Sequence, residues 1–102
     1  MAKILVLYKK PKSAEAFNKY YAEVHVPLAK KLPGLKKYGA SKGVVGTPAG
    51  PSDIHLVATL YFDSPAAIQA AMSSAGGKAT AEDLANFADG DIDLYIFDEM
   101  EV

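Results

Sequence analysis

Apolar positions along this chain follow two alternating periods. From Lys3 to Lys9 they are nearly continuous. Ile4, Val6 and Tyr8 fall on one side of an extended chain and Leu5 and Leu7 on the other, which predicts a strand apolar on both faces. The period then lengthens. Phe17, Tyr21, Val24, His25 and Leu28 stand at i, i+4, i+7, i+8 and i+11, one face of a helix running from about Ala14 to about Lys31. Ser13 is a fitting N-cap, Glu15 suits the positive pole of that helix, and Lys30-Lys31 suit its negative pole. Pro27 lies inside the helix, so a kink or break is expected near Val26. Pro33-Gly34 turns the chain into a second strand, Leu35 to about Val45, where Gly39 and Gly43 suggest a bulge or a close backbone approach. Gly46 to Asp53 is dense in turn formers and reads as a surface hairpin connection or flap. Ile54 to Phe62 is the strongest strand, again largely apolar on both faces. Ser64-Pro65 opens a helix from Ala66 to about Ser74, which Gly76-Gly77 is expected to stop. Thr80 with Asp83 reads as a weakened capping box and predicts a further short helix to about Ala88; Ile92 to Met100 is the last strand.

The order strand, helix, strand, strand, helix, strand predicts an α+β, ferredoxin-like βαββαβ sandwich with a four-stranded antiparallel sheet. Two helices cover only one side of such a sheet. The first, third and fourth strands are nevertheless apolar on both sides. A bare face of that size exceeds the few hundred Å2 that a soluble monomer tolerates, so a homodimer with sheets packed face to face, a dimeric α/β barrel, is expected.

At 102 residues the chain reads as one domain, residues 1–102. It has no cysteine, which excludes disulfides and thiol chemistry. A formal net charge of −1 supplies no basic field, so nucleic acid is not an expected partner. The apolar run at the N-terminus is too short for a membrane span and lacks a signal-peptide cleavage region, so no membrane association and a cytoplasmic location are expected. The feature that changes this picture is His25. An ionisable ring on an apolar helical stripe needs a partner when buried. Either it is a satisfied interior histidine, or it faces a cavity as a general acid/base, a role suited to imidazole because that ring titrates near working pH. Tyr38, on the following strand, would position a substrate oxygen or stabilise an enolate through its phenolic proton. The two together would suit proton abstraction beside a carbonyl, isomerisation or aldol-type cyclisation.

His25-x-Pro27-Leu28, then Pro33-Gly34-Leu35 and Tyr38, then Phe62-Asp63-Ser64 and Asp83-x-x-Asn86-Phe87 resemble the EthD family of the dimeric α/β-barrel superfamily over nearly the whole chain. The resemblance implies the ferredoxin-like fold and the barrel dimer. The family is named for a small protein associated with ethyl tert-butyl ether degradation, in which a cytochrome P450 system performs the oxidation. The wider superfamily includes cofactor-free quinone-forming monooxygenases, polyketide cyclases and a methylmuconolactone isomerase. Those enzymes handle protons with His or Tyr groups in a cavity between helices and sheet. The resemblance therefore implies a hydrophobic or aromatic small molecule bound between helix one and the sheet, with no cofactor. The alternative is a non-catalytic accessory or ligand-binding protein of such a pathway. A pocket of about 300 Å3 or more, lined by aromatics, would favour binding or catalysis; a packed interior would favour the accessory role.

Tyr8, Tyr21, Tyr61 and Tyr95 are candidate pocket residues because buried phenols seek partners, although such aromatics are more often plain core. His55 opens the third strand. It would be a second base, as a paired imidazole is in the isomerase relative, or simply a partly exposed strand-end histidine. Asp83, Asn86 and Phe87 are expected to fix the second helical region through caps and packing. Two histidines thirty positions apart, without cysteine or a carboxylate at ligand spacing, do not make a metal site. Ser74-Ala75-Gly76-Gly77-Lys78 has neither the spacing nor the setting of a dinucleotide or phosphate loop.

Overall fold

The computed structural model describes residues 1–102. In chain order it forms β1 (Ala2–Lys9), α1 (Ala14–Tyr20), a π-helical turn (Tyr21–His25), α2 (Val26–Ala29), β2 (Lys37–Ala40), a small hairpin of β3 (Gly46–Thr47) and β4 (Gly50–Pro51), β5 (Ile54–Phe62), α3 (Pro65–Ser73), α4 (Ala75–Phe87) and β6 (Ile92–Asp98). The main sheet has the order β2-β5-β1-β6 with every neighbouring pair antiparallel, which is the ferredoxin-like α+β arrangement. β1 and β5 lie in the middle because their residues suit both faces of a sheet. Ile4 stands opposite Leu60 on one side and Ile96 on the other. On the helix-covered face Ala2, Ile4, Val6 and Tyr8 of β1 and Ala58, Leu60 and Phe62 of β5 meet Phe17, Tyr21, Ile68, Ala71 and Phe87 in one core. The other face carries Leu5, Leu7, Val57, Tyr61, Tyr95 and Phe97 and has no second layer. The molecule is accordingly a slab, 35 × 34 × 18 Å. No helix is long and apolar enough to cross a membrane.

Both helix starts form as their caps dictate. Ser13 Oγ accepts from Ala16 N–H at 3.2 Å and Ser64 Oγ from Ala67 N–H at 3.1 Å, with Pro65 at the first helical position. The long first helix does not run as one α-helix. Val26 N–H reaches back five residues to Tyr21 O, and Pro27, which has no N–H, follows at once. The wider turn changes the buried stripe to Phe17, Tyr21, His25 and Ala29, four residues apart. Val24, expected inside, is 42 % exposed, and Leu28 is only half-buried.

Three other boundaries differ from expectation. Gly76 and Gly77 do not stop a helix; they lie in the first turn of α4. The break is at Ser74, in extended conformation, which closes α3 and caps α4 by accepting from Gly77 N–H at 3.0 Å. Gly77 is needed for packing: a Cβ there would stand 2.2 Å from Ala71 O and 2.7 Å from Met72 Cα. Thr80 is no cap, since its hydroxyl donates to Gly76 O at 2.7 Å inside the helix. β2 is shorter than expected and pairs with β5 without a bulge at Gly39; the sheet's register shift lies instead between Tyr8 and Lys9, across from β5. Residues 41–53 leave the sheet as a flap, and β6 ends at Asp98, short of Met100.

Candidate functional site

The only buried carboxylate, Asp83, joins α4 to the first helical region. It sits on the inward side of α4, four residues before Phe87. Its Oδ2 lies 2.9 Å from His25 Nδ1, and its Oδ1 accepts from Tyr20 Oη at 2.6 Å and from Asn86 Nδ2 at 3.0 Å. Burial acts most strongly on this carboxyl and pushes its pKa up. The hydrogen bonds from Tyr20, Asn86 and His25 together outweigh burial and hold it below the usual carboxylate range. The same bond to Asp83 raises the Tyr20 phenol. An ionised carboxylate can only accept, so Nδ1 carries the hydrogen of this bond, and Nε2 is the ring nitrogen it leaves without a partner.

The ring of His25 is 4 % exposed and is held by aromatics: its centroid is 4.7 Å from Phe87 and 5.6 Å from Tyr21. Nε2 makes no hydrogen bond in the chain, and neither does the hydroxyl of Tyr8, which is 2 % exposed. No side-chain nitrogen or oxygen is fully sealed without a partner. Both atoms therefore keep some accessible surface, and the two residues line one cavity together with Tyr38, Leu60, Leu84 and Leu94. This inner cavity measures about 50 Å3 and is otherwise apolar. Burial raises the Tyr8 phenol far above its ordinary value, so it stays a hydrogen-bond donor.

A second, larger space lies on the same side of the sheet. A groove of about 720 Å3 runs between α1 with its π-helical turn and the β2–β5 edge, under the flap. Tyr21, Ala22, Val26, Val45, His55 and Leu56 line it. Tyr38 faces the inner cavity and Tyr21 the groove, and their hydroxyls are 2.6 Å apart. Burial raises both phenols.

The structure thus brings His25, Tyr8, Tyr38 and Tyr21 together. His55 stands apart. Its Nε2 is 2.7 Å from Asn18 Oδ1 and its ring meets Phe17 edge-on at 4.9 Å, so it lines the groove and does not pair with His25. Tyr61 is a correction. Its neighbours Leu60 and Phe62 point into the core, so strand alternation puts Tyr61 on the uncovered face, between the ammonium groups of Lys3 at 4.8 Å and Lys37 at 5.1 Å. Tyr95 lies on that same face, 54 % exposed. Asp83 and Tyr20 are the residues the sequence reading missed. The available signal was a carboxylate in the apolar stripe that ends at Phe87, since a buried charge requires a partner. No group of three or more His, Asp or Glu side chains is placed to hold a metal ion.

Fold and site define a small ferredoxin-like α+β protein with a carboxylate-held histidine beneath its helices. The EthD domain profile matches residues 9–91. An uncharacterised 11.0 kDa protein from the thcB–thcC intergenic region of Rhodococcus erythropolis is 33 % identical over 102 residues, covering 100 % of this chain and 98 % of its own length. The crystal structure of an ethyl tert-butyl ether degradation (EthD) family protein from Bacillus halodurans superposes with a TM-score of 0.89 at 36 % identity, covering 98 % of this chain and 99 % of the other. The chain belongs to the EthD family. At the level of fold alone it is similar to SnoaB, a cofactor-independent oxygenase from Streptomyces nogalater, with a TM-score of 0.67 at 14 % identity over 99 % of this chain and 94 % of that one.

Proposed function

We propose that the protein binds an apolar, oxygen-bearing small molecule between helix one and the sheet and moves protons on it without a cofactor, with His25 as general acid/base. The observation that carries this reading is that His25 and Tyr8, whose Nε2 and hydroxyl have no partner in the chain, line one cavity together. Nε2 accepts a proton from a carbon beside a carbonyl or from a hydroxyl, and Asp83 stabilises the imidazolium formed. The Tyr8 or Tyr38 hydroxyl donates to the oxygen on which charge develops. The test is exchange of α-hydrogens of aryl ketones with solvent deuterium, followed by NMR. Exchange that depends on His25 supports the assignment; an unaltered rate in His25→Ala removes it.

One observation favours a second reading. At about 50 Å3 the inner cavity admits a functional group but no whole ring. In the non-catalytic alternative the Asp83–His25 pair only joins α4 to the first helical region, and the protein is an accessory or ligand-binding component. Ligand binding without any exchange would favour it.

We also propose that the functional unit is a homodimer joined through the uncovered sheet face. The chain exposes 6378 Å2. A compact monomer of 10.8 kDa exposes about 5,500 Å2. The excess is about the 800 Å2 that one partner contributes to a standard interface. Relatives of the same fold support this, including a dimeric ferredoxin-like protein from Thermobifida fusca.

A further inference from the structure

The two spaces under the helices differ in size by more than tenfold, and a hydrogen bond joins Tyr38, which lines the smaller, to Tyr21, which lines the larger. The inner cavity, at about 50 Å3, has room for one or two waters, each needing about 30 Å3. The groove, at about 720 Å3, is within the range of sites that hold whole organic ligands, about 300–1,000 Å3. The hydroxyls of Tyr21 and Tyr38 meet at 2.6 Å. Two phenols sharing one hydrogen bond leave one O–H free. When Tyr21 donates, the free proton belongs to Tyr38 on the inner side; when Tyr38 donates, it belongs to Tyr21 on the groove side. The pair therefore offers a donor to a ligand oxygen from either direction. Ala22, Val26, Val45 and Leu56 give the groove an apolar stretch, Lys10, Asn18, Ser41, Ser52 and His55 give it polar ones, and Val44 on the flap above it is 82 % exposed, an apolar side chain with nothing yet to cover.

We infer that the groove holds the body of the ligand, an apolar molecule of at least one aromatic ring, and that only its ketone or phenol oxygen passes Tyr21 and Tyr38 to reach the inner cavity. This names the substrate class for the site proposed above and rests on that reading for its chemistry, while the binding claim is independent of it. A ligand of only a few heavy atoms would leave most of the groove filled with water. A ligand with its oxygen in mid-chain would present no group to the phenols.

The experiment uses the full chain with α-tetralone and 2-naphthol as probes, followed by ligand-observed NMR. Ala22→Trp fills the groove from an exposed position; Ala70→Trp adds the same bulk at an exposed position of α3 that lines neither space. Thermal melting checks that each variant folds, and Ala40→Phe fills the same groove should Ala22→Trp fail to fold. The expected result is at least about tenfold weaker binding on filling the groove and less than about a twofold change for Ala70→Trp. The reverse pattern overturns the inference, as does absence of binding of either probe at about 1 mM. If binding follows the groove but exchange survives His25→Ala, the groove stands and the acid/base assignment falls.

Discussion

Coupling between His25 and Asp83 can be measured in a double-mutant cycle with His25→Ala, Asp83→Asn and the pair. Both partners are buried, at 4 % and 7 % exposure, so solvent screens their 2.9 Å contact little. A hydrogen bond to a buried charge contributes about 1.5–3 kcal/mol. The coupling energy from urea unfolding at neutral pH should fall in that range. Asp83→Ala strands the buried Nδ1–H of His25, while Tyr20 and Asn86 can turn to solvent, and should cost about 1–3 kcal/mol, lowering Tm by about 4 °C or more in a domain of this size. The pH dependence follows from the depressed pKa of Asp83. The folded state favours its carboxylate. Its contribution is therefore complete above the ordinary value of about 3.9 and is lost as pH falls through the lower folded value. The stability gap between wild type and Asp83→Asn should be present at neutral pH and close in stronger acid, as the carboxylate takes up its proton. A coupling energy under about 0.5 kcal/mol, the level of unconnected sites, would refute the claim that these two side chains act as a pair.

Gly77→Ala should destabilise the protein by about 1–3 kcal/mol despite alanine's better helix propensity, because its Cβ meets backbone at 2.2 Å; a raised Tm would contradict the packing described. Leu7→Glu on the uncovered sheet face should halve the mass found by sedimentation without unfolding the chain, and an unchanged mass would exclude that face as the interface. The buried phenols of Tyr8 and Tyr21 have raised pKa values, so the stability they contribute is complete below about pH 10 and is lost as pH rises further. Ultraviolet titration of the six tyrosines should show these two ionising only with alkaline unfolding, and Tyr21→Phe should move that unfolding to higher pH.

Period-two alternation in β1 and β5 and the serine caps at Ser13 and Ser64 were legible because each is decided by residues within a few positions. The uncovered sheet face was legible by counting apolar sides against helices. Other features were not. Gly76-Gly77 carries the same local mark whether it ends a helix or lets two helices touch, and only the approach of α3 decides between them. Tyr61 and Leu60 are equivalent in a strand apolar on both sides until the helices choose a face. Asp83 meets its partner across 58 residues, and no local pattern records that distance. His25 stands out in the sequence as a ring on an apolar stripe, but Asp83, the carboxylate it meets, reads there only as a residue of caps and packing.

The π-helical turn has a consequence for how this helix can vary. Its buried ladder of Phe17, Tyr21, His25 and Ala29 steps by four residues, while an ordinary α-helix repeats every 3.6. Removing one residue between Tyr21 and His25 would let the Tyr21 carbonyl close an ordinary four-residue bond, so the turns on either side would keep their faces. Phe17 would stay in the hollow and Tyr20 in line with the acid on α4. This turn is therefore the one place where the helix can lose a position, whereas a deletion elsewhere along it would swing the upstream part by about 100° around the axis.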